Sequence, residues 1–215
     1  MIVAIPVKGY FAENCYFYID DRTKHGFLID PGAESYKLLN LIARKGWIIE
    51  KILLTHGHFD HIGAVNEIRD ALSVPVVAHK NSYSYLSDGY MNLSSQCGYP
   101  ITVKVDAVTH DGDILRLEEN NEFSLQVIYT PGHTTDSIIL YSEKDRVAFV
   151  GDTIFKGNIG SYQFPGGNPK DLMKSIVNKI FSLPDNTLLL SGHSDKTTVG
   201  AEKKTLPLAE LRFGE

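Results

Sequence analysis

Thr55-His56-Gly57-His58-Phe59-Asp60-His61 follows a short apolar run, Lys51 to Leu54, and precedes a helical pattern marked by Ile62, Val65, Ile68 and Leu72. The order is strand, loop, helix, with three histidines and an aspartate at the end of the strand. Site residues gather at such places in α/β scaffolds, because the sheet fixes the backbone while the loop frees the side chains. A regular strand would send His56, His58 and Asp60 to one side, and a regular helix would scatter them. A tight loop eased by Gly57 can instead aim His56 and His58 at one metal ion, and Asp60 with His61 at a neighbour.

Three further segments share that context, each following an expected strand: Pro131-Gly132-His133, Gly151-Asp152-Thr153 and Ser191-Gly192-His193. Imidazole and carboxylate suit zinc, iron or manganese, and the scarcity of cysteine removes thiolate alternatives. His133 can give the first ion a third imidazole, His193 can do the same for the second, and Asp152 can bridge both. Two metals about 3.5 Å apart can then share a hydroxide for attack on an acyl or phosphoryl centre.

Around these segments, strands are expected at Ile2 to Pro6, Asn14 to Ile19, Gly26 to Ile29 and Val74 to Ala78. A helix is expected from Ser35, with Leu38, Leu41, Ile42 and Lys45 at helical spacing, Ser35 as cap and Gly46 closing the end. Residues 81–100 are polar and rich in Tyr and Ser, and carry no clear period. The second half is richer in strands, at Ile114 to Leu117, Phe123 to Tyr129, Ile138 to Tyr141, Val147 to Val150 and Thr187 to Leu190. Asn168-Pro169 reads as a helix start, with Leu172, Ile176 and Ile180 as its apolar stripe. Strands in both halves with interspersed helices point to two sheets packed face to face with helices outside, in one domain spanning residues 1–215.

The chain of 215 residues is 43% hydrophobic and 22% charged, which is a globular composition. A net charge of −5 offers no dense field for phosphates, so nucleic acid is not an expected partner. The first ten residues lack a basic region and a cleavage site, and read as a first strand rather than a signal peptide. No apolar stretch reaches the roughly 18 residues of a membrane span, so no membrane partner is expected either. Cys15 and Cys97 form no CxxC pair and read as free thiols, which places the protein in the cytoplasm. The oligomeric state is not readable from the sequence.

These motifs resemble the metallo-β-lactamase superfamily, and more closely its glyoxalase II-like branch of hydroxyacylglutathione hydrolases. The resemblance runs from Asn14-Cys15-Tyr16 and Asp30-Pro31-Gly32 through THGHFDH, PGHTTDS, GDTIF and FPGG to the final Gly192-His193. It implies an αββα four-layer sandwich of two mixed sheets flanked by helices. It also implies two divalent transition metal ions, zinc foremost with iron or manganese as alternatives. One is held by His56, His58 and His133, the other by Asp60, His61 and His193, with Asp152 bridging. The chain departs from the family's usual pattern at Thr135 and Asp136, at Ser161 and Gln163, and at Ser194, none of them a metal ligand. It also ends soon after His193, without the helical C-terminal domain that helps full-length glyoxalase II bind glutathione.

The implied chemistry is hydrolysis of a small thioester by a metal-bridging hydroxide, with Asp60 orienting that hydroxide as well as ligating. Alternatives are a mono-iron oxidoreductase like the persulfide dioxygenases, a lactone or phosphodiester hydrolase, and a non-catalytic metal-binding module. Lys156 and Tyr162 are candidate contacts to an anionic group of the small-molecule substrate, or else solvated loop residues. The segment Lys156 to Gly167 is expected to line the substrate entrance. Asp30 either shapes its turn or hydrogen-bonds a ligand imidazole. His25, His79 and His110 read as structural.

Overall fold

The computed structural model describes residues 1–206, and the remaining part of the C-terminal tail lies outside the described residues. Residues Met1–Thr109 with Leu115–Ser124 form one compact unit, and His110–Ile114 with the described residues 125–206 form a second.

The first unit is built on a six-stranded mixed sheet of β1 (Ile2–Lys8), β2 (Ala12–Ile19), β3 (His25–Ile29), β4 (Ile48–Leu53), β5 (Val76–His79) and β6 (Ala107–Thr109), adjacent in that order. The first three strands pair antiparallel, and β3 to β6 run parallel. Parallel neighbours need a crossover, which α1 (Ser35–Lys45) supplies before β4 and α3 (Val65–Leu72) before β5. Leu38, Ile42 and Ile68 bury their faces among Phe17, Leu28 and Ile52 of the strands. Each such side chain contributes about 1.5–3 kcal/mol on leaving water.

Two details differ from the sequence reading. Helix α1 has Ser35 as its first residue, and the cap position is Glu34 in a left-handed conformation (φ 56°). The Glu34 carboxylate does not cap the helix, and instead accepts from the Lys8 N–H at 3.0 Å and the Lys37 ammonium at 2.8 Å. The helix expected after His61 is split into a single turn, α2 (Phe59–Ile62), and α3. Gly63 lies flush on the backbone of Gly32, where a Cβ would come within 2.2 Å of the Gly32 carbonyl. The Ala64 N–H goes outside the helix to the Pro31 carbonyl at 2.9 Å, so the ladder is interrupted there.

Residues 81–100, unassigned from sequence, hold the end of a 3₁₀ turn (Lys80–Ser82), a one-turn helix α4 (Tyr83–Leu86) and a second 3₁₀ turn (Ser94–Cys97). The segment Leu115–Ser124 belongs with this unit because Phe123 packs on Tyr18, with ring centroids 4.2 Å apart.

A second mixed sheet is ordered β14 (Thr197–Thr198), β13 (Leu188–Ser191), β10 (Val147–Gly151), β9 (Ile138–Ser142), β8 (Ser124–Tyr129) and β7 (Ile114–Arg116), of which β14 to β9 lie wholly in the second unit. Strands β10 and β13 pair parallel, while β9 with β10, β13 with β14 and β8 with β9 pair antiparallel. A small hairpin of β11 (Ile154–Phe155) and β12 (Asn158–Ile159) follows Asp152. Asn168 caps α5 (Pro169–Ser175) as its sequence signal predicts, its side chain accepting from the Lys170 and Asp171 N–H groups. The helix continues as a π-helical turn over Ile176–Ile180, and Leu172, Ile176 and Ile180 bury together as the stripe requires. Helix α6 (Val199–Thr205) was not anticipated; Thr198 caps it by accepting from the Ala201 N–H. No helix among the described residues is long and apolar enough to cross a membrane.

Glu50 ties the first sheet to its 115–124 flap. Burial pushes its carboxyl up, but bonds from the Glu118 N–H, His25 and the Glu119 N–H, with Lys51 nearby, outweigh that and hold it below the usual range. A carboxyl lowered on folding stabilises the native state above its unfolded pKa and loses that contribution as pH falls through the folded value. Glu50→Gln is therefore expected to cost about 1–2 kcal/mol at pH 7. The gap between the urea midpoints of wild type and variant should close as pH drops below 4.5, the ordinary value of this group.

Candidate metal centre

In the first unit the ligand segment leaves β4 and is gripped by the turn after β3. Asp30 stands in the left-handed region (φ 48°), a conformation that aspartate tolerates better than most residues. Its Oδ1 accepts from the Thr55 N–H at 2.8 Å, and its Oδ2 accepts from the Thr55 hydroxyl and lies 3.1 Å from His61 Nδ1. Of the two roles open to Asp30, the structure supports both: it shapes the turn and it holds a histidine of the motif. A carboxylate on Nδ1 fixes the imidazole's orientation and leaves Nε2 for a metal.

Thr55 in turn places its hydroxyl 3.2 Å from His56 Nδ1, and His56 Nε2 lies 3.2 Å from His58 Nδ1. The ring of His56 is 4.2 Å from that of His61. All three histidines are buried, while Asp60 is half-buried. His56 and His58 are on the loop, and Asp60 and His61 are on the single turn of α2, for which His58 is the cap position. Where the sequence suggested a loop alone, loop and helical turn together present the four side chains.

Two supports of this segment were not singled out from sequence. Glu13 on β2 is buried, with Oε1 4.0 Å from His61 Nδ1, so a second carboxylate stands beside that imidazole. Asn92, fully buried within the unassigned excursion, accepts the Phe59 N–H on its carbonyl at 2.9 Å. Its amide donates to the Tyr85 and Ile101 carbonyls. A lone Glu in a strand and a lone Asn in a polar loop carry no spacing signal, so only the fold reveals them. The Cys15 thiol is pushed well up by burial and by the charges of Glu13 and Asp30, consistent with an inert thiol.

The second unit presents the other three residues. His133 follows β8, and its Nδ1 donates to the Ser161 carbonyl at 2.6 Å, directing Nε2 the other way. Asp152 follows β10, with Oδ2 3.8 Å from His133 Nε2 and 3.3 Å from His193 Nε2. One carboxylate oxygen thus stands between two imidazole nitrogens. This donor set of imidazoles and carboxylates suits zinc, iron or manganese, and is buried apart from His193, about one-quarter exposed.

The sequence-expected entrance is partly a hairpin, since β11 and β12 straddle Lys156. Lys156 is exposed and pairs with Asp195 at 3.2 Å, and its N–H donates to Ser194 Oγ, one of the positions that depart from the family pattern. Tyr162 is half-buried against the apolar cluster of this unit. His25 pairs with Glu50, His110 with Asp113, and His79 Nδ1 accepts the Asn81 N–H at a 3₁₀ start. All three have structural placements.

The profile described as "Metallo-beta-lactamase superfamily" matches residues 9–193, spanning both units. The chain belongs to the metallo-β-lactamase superfamily. The chain is thereby placed in a metallo-hydrolase superfamily, and the α/β fold expected from sequence is the observed one. A relative in Haemophilus influenzae named "Hydroxyacylglutathione hydrolase GloC" is 33% identical over 96% of each chain. Among solved structures of this superfamily, BLEG-1 B3 metallo-beta-lactamase superposes with a TM-score of 0.90 at 37% identity, covering 97% of this chain and 99% of that one. TTHA1623 in a di-iron-bound form superposes with a TM-score of 0.82 at 36% identity, covering 95% and 99%.

Gly160 presses against the backbone of Asp152: a Cβ there would lie 1.7 Å from the Asp152 carbonyl oxygen and 3.4 Å from His133 Nδ1. Gly160→Ala must therefore displace Asp152. The expected result is a loss of about 2–4 kcal/mol in urea unfolding, in the range of overpacked sites. Gly112→Ala serves as control, since its Cβ meets nothing although its φ of 87° adds some strain; it should cost less.

Proposed function

We propose that this chain hydrolyses small thioesters with two divalent metal ions. The observation that carries the reading is the Asp152 oxygen standing between His133 Nε2 and His193 Nε2, the arrangement of a bridging ligand. In this reading His56, His58 and His133 hold the first ion, Asp60, His61 and His193 hold the second, and Asp152 serves both. All seven residues fall within the matched span. When bound, the ions supply Lewis acidity and lower the pKa of water to about 7. Zinc fits the donor set, and the di-iron form of TTHA1623 makes iron the alternative.

The residues' own work follows from their contacts. Asp30 keeps the Nδ1 side of His61 occupied, which would leave Nε2 to hold its ion. The Ser161 carbonyl does the same for His133. Asp60, half-buried, is proposed to orient the attacking hydroxide as well as to ligate. The thioester assignment draws support from the name of the GloC relative. The substrate is a small molecule met in the cytoplasm, as the two free cysteines suggest. Lys156 and Tyr162 stand on or near the hairpin after Asp152 and are proposed to contact it, with the whole chain acting as one domain.

Metal analysis of protein loaded and then desalted should give close to two equivalents per chain, falling to about one in His58→Ala and in His61→Ala. A wild-type value of one under metal-replete conditions would sink the two-ion reading. Zinc-loaded, iron-free protein kept without oxygen should release free thiol from S-acyl thiols, and both variants should lose at least about 100-fold in kcat/KM. Inertness toward every thioester, with oxygen consumption by the iron form on glutathione persulfide, would replace hydrolysis with oxygenation.

A further inference from the structure

The first unit contains a cavity of about 310 Å³ that borders Asp60 but includes none of the motif histidines in its lining. Its walls are Tyr10 from the β1–β2 turn, Phe59 and Asp60 from α2, and Cys97, Tyr99 and Ile101 from the excursion after β5. The volume is at the low end for small-molecule sites. Aromatic rings gather at its mouth: Tyr10 packs edge-on with Phe11 at 5.1 Å and with Phe59 at 6.0 Å. Tyr10 is 68% exposed and Tyr99 81%. Exposed apolar groups clustered around a cavity are the mark of a surface that something covers.

Continuity and charge say what that is. The cavity shares Phe59 and Asp60 with the segment that presents the motif histidines, so its wall is continuous with that segment. No lysine or arginine lines it, and its one ionisable carboxyl belongs to Asp60. An anionic group such as the carboxylates of a glutathione carrier finds no partner there, whereas an uncharged hydrocarbon chain does.

We infer that this cavity takes the apolar acyl chain of the substrate, so that the preferred thioesters carry acyl groups of several carbons rather than short polar ones. The inference rests on the thioester reading above, and Cys97 gives it a readout that does not depend on turnover. Cys97 is partly exposed in the cavity wall, while Cys15 is fully buried. Iodoacetamide therefore reports on the cavity alone.

The experiment uses metal-loaded protein and N-acetylcysteamine thioesters with acetyl, butanoyl and hexanoyl groups. kcat/KM should rise about three- to fourfold for each added methylene, the factor for a CH₂ leaving water. Ile101→Trp, which fills the cavity, should lower the hexanoyl-to-acetyl ratio at least tenfold. Cys97→Phe should do the same by a different wall, should the first variant fail to fold. Hexanamide should slow alkylation of Cys97 in the wild type. Hydrolysis with a flat acyl series and unshielded Cys97 would overturn the cavity's role and leave the thioester reading standing. Shielding of Cys97 by hexanamide without hydrolysis of any thioester would uphold the apolar site and sink the thioester reading.

Discussion

The ligand segment of the first unit depends on one buried carboxylate. Asp30 engages the Thr55 N–H, the Thr55 hydroxyl and His61 Nδ1 through its two oxygens, and its own N–H donates to the Leu53 carbonyl at 3.1 Å. Strand β4, the loop and the helical turn α2 are thereby fixed to the turn after β3 at a single point. A buried charge is costly unless satisfied, and here its partners are the groups whose placement matters for metal binding. The left-handed backbone at residue 30 is the strain that goes with it.

The same logic of close backbone contact recurs in both units. Gly32 lies so near Asp60 that a Cβ would come within 1.7 Å of its carbonyl oxygen, and Gly160 bears the same relation to Asp152. At each point the backbone of a proposed ligand is pinned by a neighbour with no side chain, which leaves little freedom for its Cα. On the proposed assignment, ligands held this way would need little reorganisation on binding. The excursion after β5 adds a third support through Asn92, so a segment with no regular period contributes directly to the rigidity of the site.

Most strand positions were readable because their apolar runs are short and bounded by turn residues, as at Gly26 to Ile29 and Val147 to Val150. The reading of α5 succeeded because Asn168-Pro169 is a strong local signal whose partners lie two and three residues away. It failed where a distant backbone intervened: the break between α2 and α3 is set by Gly32 and Pro31, some 30 residues earlier. The cap of α1 moved for a similar reason, Glu34 being held by Lys8 of β1.

By itself the sequence determined the family, the strand-end placement of the histidines and aspartates, and the donor chemistry, since residue type and spacing are local properties. Only the tertiary structure decided which nitrogen of each imidazole is held. Asp30 takes Nδ1 of His61 and the Ser161 carbonyl takes Nδ1 of His133, contacts across 31 and 28 residues. It alone placed Glu13 beside His61, Asn92 under Phe59, and the Asp152 oxygen between two imidazoles. Those facts depend on distances between segments far apart in the chain, which no local pattern encodes and which packing against the two sheets fixes.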